Sequence, residues 1–308
     1  MQAPTRESLN RPVQFFTGKG GVGKSTVIAA VATRAAHAGQ RPLIVELGVH
    51  TSSSQLFDGP TVGYEPVEVT ENVYATRVSF EPALVDYVTS RLKLRPIAKL
   101  VAKTNSLRRF FMAAPGVDEI VTLHRVAELE ANDAWEPILV DLESTGHALM
   151  FFDLPDVLDV FLEDGPLRHV LDTATRLLHD TQRCAVHIVT VPEPLAVRET
   201  IELYRNLRDR EGIHLGHLFI NRVPPAWLDE AGRQLIRDYL DTASVDDPCR
   251  PSLLLAEHLV VRRDIAEKCI HGLKHDIDLP TVLLEARDDS SARIVQSISE
   301  GLEHVEGP

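Results

Sequence analysis

The chain has 308 residues, of which 44% are hydrophobic and 25% are charged, a balance typical of a globular protein with a well-buried core. With 32 Lys and Arg against 45 Asp and Glu, its formal net charge is −13, which argues against sequence-independent binding to nucleic acid. The three cysteines are widely spaced, and no apolar run reaches the ~18 residues of a membrane span. We therefore expect a soluble, cytoplasmic protein that has no nucleic-acid partner and that meets a membrane only indirectly.

The first structural unit is predicted to be a strand, a loop and a helix in immediate succession. Residues 1–12 are polar with two prolines and are expected to form a flexible lead-in. The apolar run 13–16 predicts a buried strand, and the Ala-rich run 27–32 predicts a helix that begins near Gly23. Between them, residues 18–25 have the spacing G-x-x-x-x-G-K-[ST] of a phosphate-binding loop.

This loop has the groups that bind a nucleoside triphosphate. Glycines let backbone N–H groups approach phosphate oxygens, and the start of the helix adds its dipole. Lys24 is expected to contact the β- and γ-phosphates, and the Ser25 hydroxyl is expected to bind Mg²⁺. The predicted nucleotide-binding residues of the loop are Gly18, Gly20, Gly21, Val22, Gly23, Lys24, Ser25 and Thr26.

A dinucleotide-binding turn is the alternative for the same residues. The glycines of the loop also satisfy G-x-G-x-x-G, and Glu46 ends the next apolar run, where such folds place an acid on the ribose. The adjacent pair Lys24-Ser25 favours the triphosphate, because a pyrophosphate-binding turn has no need of it.

The rest of the chain alternates between strand and helix patterns. Strands are predicted at 43–47, 72–79, 137–141, 184–190 and 215–220, with short candidates at 252–255 and 281–284, and 72–79 is expected to be an edge strand. Helices are predicted at 167–179, 193–210, 227–240 and 291–304. This alternation predicts an α/β fold with a doubly wound, mostly parallel sheet, in a single domain over 13–305.

A helical insertion is predicted at about residues 82–132. It combines a concentration of Lys and Arg between 91 and 109 with interleaved apolar residues. Two interpretations stay open: an amphipathic subdomain with solvated charges, or a surface that recognises a protein partner or an acidic membrane face.

Two groups of residues are candidate metal ligands. Asp141 ends the predicted strand 137–141, which is the position of a Walker B acid that holds Mg²⁺ directly or through water. Ser25 and Asp141 are therefore the predicted magnesium ligands. The other group consists of Cys269, His271 and His275, which could face one side of a helix, although no obvious fourth ligand accompanies them.

Several segments together resemble one family of ATPases. They are the loop 18–25 with its early Lys19, the sequence T-G-H at 145–147, the sequence TVPEPLAVRET at 190–200 and the sequence N-R-V at 221–223. The early lysine is similar to that of the deviant phosphate loops of dimeric ATPases. The other segments resemble the arsenite-transport and tail-anchored-protein-targeting ATPases in their bacterial form.

The resemblance implies an ATPase that binds ATP or ADP with Mg²⁺ and works as a homodimer enclosing the nucleotides. Lys19 would reach the nucleotide of the partner protomer. Gly146 would contact the γ-phosphate from a switch segment, Asn221 would lie against the adenine, and Arg222 would be a further nucleotide-binding residue.

One position departs from the family pattern. Gly48 stands where the family usually has an Asp that orients the attacking water, so hydrolysis is expected to be slow or to use Glu46, Glu143 or His50 instead. The predicted catalytic residues are Lys19, Lys24, Asp141 and Glu46.

Two functions stay open. The first is an ATP-switched ATPase that drives a conformational change for a protein or membrane-associated client. The second is a nucleotide-binding regulatory subunit with little hydrolysis, which acts together with a catalytic paralogue. In both cases the helical insertion is the expected contact surface.

Overall fold

The computed structural model describes residues 9–47, 52–79, 82, 83, 86, 117–142, 149, 151–153 and 166–302. Most of the predicted helical insertion lies outside these residues, and so do Gly48, His50, Glu143 and Gly146. The described part of the insertion includes one long helix, Val117–Ala131, and the predicted insertion with its bounds stays a prediction.

Strands and helices alternate through the described chain. The strands are β1 (Val13–Thr17), β2 (Leu43–Leu47), β3 (Val67–Thr70), β4 (Val73–Val78), β5 (Ile138–Asp141), β6 (Cys184–Thr190), β7 (Leu215–Val223) and β8 (Thr281–Glu285). The helices are α1 (Lys24–His37), α2 (Ser53–Leu56), α3 (Val117–Ala131), α4 (Pro166–His179), α5 (Pro194–Arg208), α6 (Glu230–Thr242), α7 (Arg250–Asp276) and α8 (Ser291–Leu302).

The strands form one sheet in the order β3-β4-β2-β5-β1-β6-β7-β8. All neighbours are parallel except β3 and β4, so the predicted doubly wound, mostly parallel sheet is confirmed. The chain proceeds from β1 towards β2 on one side and later towards β6 on the other. The carboxyl end of β1 therefore lies where the winding changes direction, which is the usual ligand site of such sheets.

Helices cover both faces of the sheet. Successive residues of β1 point to opposite sides: Phe15 belongs to the core cluster that includes residues of α3, α4, α5 and α7, whereas Phe16 belongs to the cluster that includes residues of α1 and α8. Every residue of β1 is buried. This burial on both faces explains why β1 has two large apolar residues in succession, Phe15 and Phe16, instead of a strict apolar–polar alternation.

Three expectations about single elements were wrong. The strand expected at the edge, β4, is covered by the short antiparallel strand β3, which the sequence analysis missed. Residues 252–255, which were expected to form a strand, lie within α7; a run of three leucines is too short to distinguish strand from helix. The helix expected from residue 227 begins at Glu230, where the Asp229 side chain accepts a hydrogen bond from Gly232 N at 2.8 Å.

The described end of the lead-in packs against the domain. Leu9 is buried, and Gln14 Nε2 donates hydrogen bonds to the backbone oxygens of Leu9 at 2.8 Å and Arg11 at 3.1 Å. Within the ranges given above, none of the helices is both long and apolar enough to span a membrane.

Candidate functional site

The loop between β1 and α1 is held in a conformation that requires glycine. Gly18, Gly21 and Gly23 have φ angles of 149°, 84° and 90°, which residues with a Cβ rarely adopt. A Cβ on Gly18 would lie 2.0 Å from the backbone oxygen of Val189 in β6. A Cβ on Gly23 would lie 2.4 Å from Asn221 Nδ2. The loop is thus packed closely against the ends of β6 and β7.

The two lysines of the loop have different partners. Lys24 Nζ donates a hydrogen bond to the backbone oxygen of Gly18 at 3.2 Å, so its ammonium lies over the loop itself. Lys19 Nζ lies 2.9 Å from Glu199 Oε1 on α5. Lys24 thus lies over the loop, whereas Lys19 lies at the surface and is paired with a residue of the same chain.

Ser25 and Asp141, the two predicted magnesium ligands, are brought together. The parallel register aligns Phe16 of β1 with Asp141 of β5, and Ser25 Oγ donates a hydrogen bond to Asp141 Oδ2 at 2.6 Å. Burial raises the pKa of Asp141 to about 6, and the Glu46 carboxylate adds to this, whereas the Ser25 hydrogen bond and the Lys24 charge oppose it. A hydroxyl and a carboxylate beside a phosphate loop are the oxygen ligands that Mg²⁺ prefers, so these residues fit the ion.

Glu46 has a structural partner that the sequence analysis did not foresee. It aligns with Asp141 across β2 and β5 and is buried. Its Oε1 accepts hydrogen bonds from Ser52 N at 2.6 Å, Ser53 N at 2.7 Å and Ser53 Oγ at 3.0 Å. Its Oε2 is buried and makes no hydrogen bond to any described residue. One oxygen of Glu46 therefore anchors the start of α2, and the other remains available beside Asp141.

A cleft of about 310 Å³ opens beside the loop. The loop and the first turn of α1 form one wall, Ser52, Gln55 and Leu56 form a second wall, and Arg222 and Ser291 complete it. Ser52, Gln55, Leu56 and Ser291 were missed by the sequence analysis, because they belong to no motif and reach the cleft only through the packing of α2 and α8.

The cleft continues towards the end of β7. Residues that line it, among them Arg222, also line an adjoining pocket of about 110 Å³ with Asn221 and residues 285–287. Asn221 Nδ2 donates to the backbone oxygen of Val22 at 2.9 Å, and Asn221 Oδ1 accepts from Arg222 N at 2.9 Å. Arg222 has a φ of 55°, an uncommon left-handed conformation that turns the strand end at the cleft. Asn221 thus ties the loop to β7.

The other candidate residues are placed differently. Gly48, His50, Glu143 and Gly146 lie outside the described residues, so their roles stay predictions. Cys269, His271 and His275 lie on α7, and among the residues that the structure describes no group of three or more such side chains could hold a metal ion. The magnesium hypothesis therefore rests on Ser25 and Asp141.

Comparisons with known proteins identify the family of this chain. The family model described as anion-transporting ATPase matches residues 12–166. The chain is 28% identical to the ATPase BagA of Mycobacterium tuberculosis in an alignment 307 positions long, which includes 91% of this chain and 89% of BagA. It is also 28% identical to the arsenical pump-driving ATPase of Escherichia coli over 235 residues, which cover 69% of this chain and 39% of that protein. Since the family model spans half of the chain and includes the phosphate loop and Asp141, the chain belongs to the anion-transporting ATPase family.

Proposed function

We propose that this protein is a Mg²⁺-dependent ATPase that works as a nucleotide-switched homodimer for a protein or membrane-associated client. The observation that carries the proposal is the convergence of Lys24, Ser25 and Asp141 at one loop, with the Ser25–Asp141 contact at 2.6 Å. Lys24 would bind the β- and γ-phosphates, and Ser25 with Asp141 would hold Mg²⁺, which would neutralise phosphate charge during hydrolysis. ATP, ADP and Mg²⁺ are thus the expected ligands.

The homodimer is proposed from the position of Lys19. A loop lysine that is exposed at the surface can reach the nucleotide of a second protomer if that protomer approaches this surface. The 33% exposure of the Lys19 side chain is compatible with such an approach. We further propose that the protein acts in the cytoplasm and that its client binds the helical insertion at 82–132.

A regulatory subunit with little hydrolysis is the second candidate. It is favoured by Gly48, which leaves the segment after β2 without the usual water-orienting Asp. In the first candidate, Glu46 would orient the water in place of that Asp, since its Oε2 is buried without a hydrogen-bond partner among the described residues and Glu46 aligns with Asp141 in the neighbouring strand. A paralogue that carries the missing Asp would complete the site in this second candidate.

One experiment separates the two candidates. ATP turnover and molar mass by light scattering are measured on the same fractions with ATP·Mg²⁺, with ADP and without nucleotide. Lys24→Ala reveals contaminating activity, and Lys274→Ala, an exposed lysine on α7, is the matched control. Turnover that is lost in Lys24→Ala, together with an ATP-dependent dimer, supports the proposal. Tight binding without turnover supports the regulatory subunit, and the absence of ATP binding contradicts both.

A further inference from the structure

We propose that Glu199 restrains Lys19 within its own protomer and thereby sets the protein concentration at which ATP drives dimerisation. This inference rests on the proposed function, in which Lys19 acts on the nucleotide of a second protomer. It adds a residue, Glu199, that regulates this step.

The contact that motivates the proposal is a short ion pair. Lys19 Nζ and Glu199 Oε1 are 2.9 Å apart, and the two side chains are 33% and 37% exposed. At this distance the bond is a charge-assisted hydrogen bond. The positive charge of Lys19 is therefore compensated by a carboxylate of the same chain.

The position of Glu199 is set by the backbone around it. Its neighbour Thr200 is buried and contacts Thr190 at the end of β6 through their hydroxyls, at 2.8 Å. Thr200 Oγ1 also donates to the backbone oxygen of Ala196 at 2.7 Å. Gly18 of the loop packs against Val189, the residue of β6 that precedes Thr190, since a Cβ on Gly18 would lie 2.0 Å from the backbone oxygen of Val189. Loop and helix are thus both fixed to β6, which holds Lys19 and Glu199 in reach of each other.

The ion pair competes with a phosphate for one ammonium group. In an isolated protomer, Glu199 is the anion beside Lys19. In a dimer whose partner presents a triphosphate, the phosphate charge is the stronger attraction, and Lys19 leaves Glu199. Each dimer breaks two such pairs. Since exposed ion pairs contribute little, the loss of both pairs corresponds to about a two- to thirtyfold change in the dimer dissociation constant.

The first test is Glu199→Gln, which keeps the size of the side chain and removes its charge. Dimerisation is followed by sedimentation with a non-hydrolysable ATP analogue and Mg²⁺. We expect Glu199→Gln to dimerise at about two- to thirtyfold lower dissociation constant than the wild type. The matched control is Glu202→Gln, which removes the same charge at an exposed position of the same helix and should leave the constant unchanged.

The second test observes Lys19 directly. The chain has only seven lysines, so reductive ¹³C-methylation gives few signals, and Lys19→Arg identifies that of Lys19. Without nucleotide, this signal should shift in Glu199→Gln and stay in place in Glu202→Gln. With the ATP analogue, the wild-type signal should move away from its nucleotide-free position.

The outcomes distinguish the two levels of the proposal. If the wild type never dimerises, the proposed homodimer is wrong, and with it the regulatory role of Glu199. If the wild type dimerises but Glu199→Gln leaves the constant unchanged or weakens the dimer, the proposed function survives and the restraint by Glu199 is refuted. An unchanged Lys19 signal in Glu199→Gln would refute the ion pair itself.

Discussion

Gly18 and Gly20 differ sharply in what surrounds them, although both belong to the same glycine-rich loop. A Cβ on Gly18 would meet a backbone oxygen of β6 at 2.0 Å, and its φ is 149°. A Cβ on Gly20 would have no described atom within 4 Å. The motif alone treats the two glycines as equivalent, whereas packing against β6 makes only one of them irreplaceable.

We therefore expect Gly18→Ala to lower the free energy of unfolding by more than about 2 kcal/mol, because backbone atoms cannot move aside cheaply. Gly20→Ala should change it by less than about 1 kcal/mol. Urea unfolding of both variants measures the difference. Equal losses would contradict the close approach of the loop to β6.

Glu46 is expected to act first as an anchor for the segment that follows β2. Because its Oε1 is charged and accepts from two amides, Glu46→Gln should raise amide exchange at Ser52 and Ser53 by about 5- to 30-fold. The matched control is Glu68→Gln, whose carboxylate accepts from Asn72 N at 2.8 Å in an exposed turn. That control should leave residues 52 and 53 unchanged. Unaltered exchange in Glu46→Gln would contradict the anchoring role.

At the scale of elements, β6 and β7 are joined by a buried pair of histidines. His217 N donates to His187 Nδ1 at 2.9 Å, and the two residues are 2% and 0% exposed. Burial, with His217 and His214 nearby, lowers the pKa of His187 well below its usual range. Burial, with Arg34 and His214 nearby, lowers the pKa of His217 to about 4. Both side chains are therefore neutral in the folded protein.

This pair predicts acid sensitivity. The unfolded chain binds protons at these histidines below about pH 6.5, whereas the folded chain does not. The contribution of this pair to stability is thus complete above that pH and falls as the pH drops towards 4, by about 2 kcal/mol at pH 5 for His217, with a further loss from His187. His217→Phe should reduce the slope of stability against pH by about half. His258→Gln, at an exposed position of α7, should not change it. An unchanged slope in His217→Phe would contradict the prediction.

Most elements could be predicted from the sequence because parallel strands that are buried on both faces give continuous apolar runs. The failures have local causes. Strand β3 has only four residues and one fully buried position, too little pattern to distinguish it from a loop. The four buried residues of helix α7 all lie at or after Val260, so its first ten residues carry no buried stripe. Its start was accordingly mistaken for a strand.

At the scale of the whole molecule, the site divides into a predictable and an unpredictable part. The loop and Asp141 were predictable, because a contiguous motif and a strand end specify them locally. The partners of Glu46, the ion pair of Lys19 with Glu199 and the contribution of Ser291 were not. They depend on how α2, α5 and α8 pack around the carboxyl end of the sheet, and no spacing within the chain encodes that packing.

The most direct test of the account is equilibrium binding of ATP·Mg²⁺ by calorimetry to the wild type, Lys24→Ala and Lys268→Ala. Lys268 is an exposed lysine of α7 and serves as the control. We expect the wild type and Lys268→Ala to bind equally. Lys24→Ala should bind at least about 30-fold more weakly, because it loses a charged contact to phosphate worth about 2 kcal/mol or more. A wild type that does not bind ATP, or a Lys24→Ala variant that binds as tightly, would contradict the assignment of this loop as the nucleotide site.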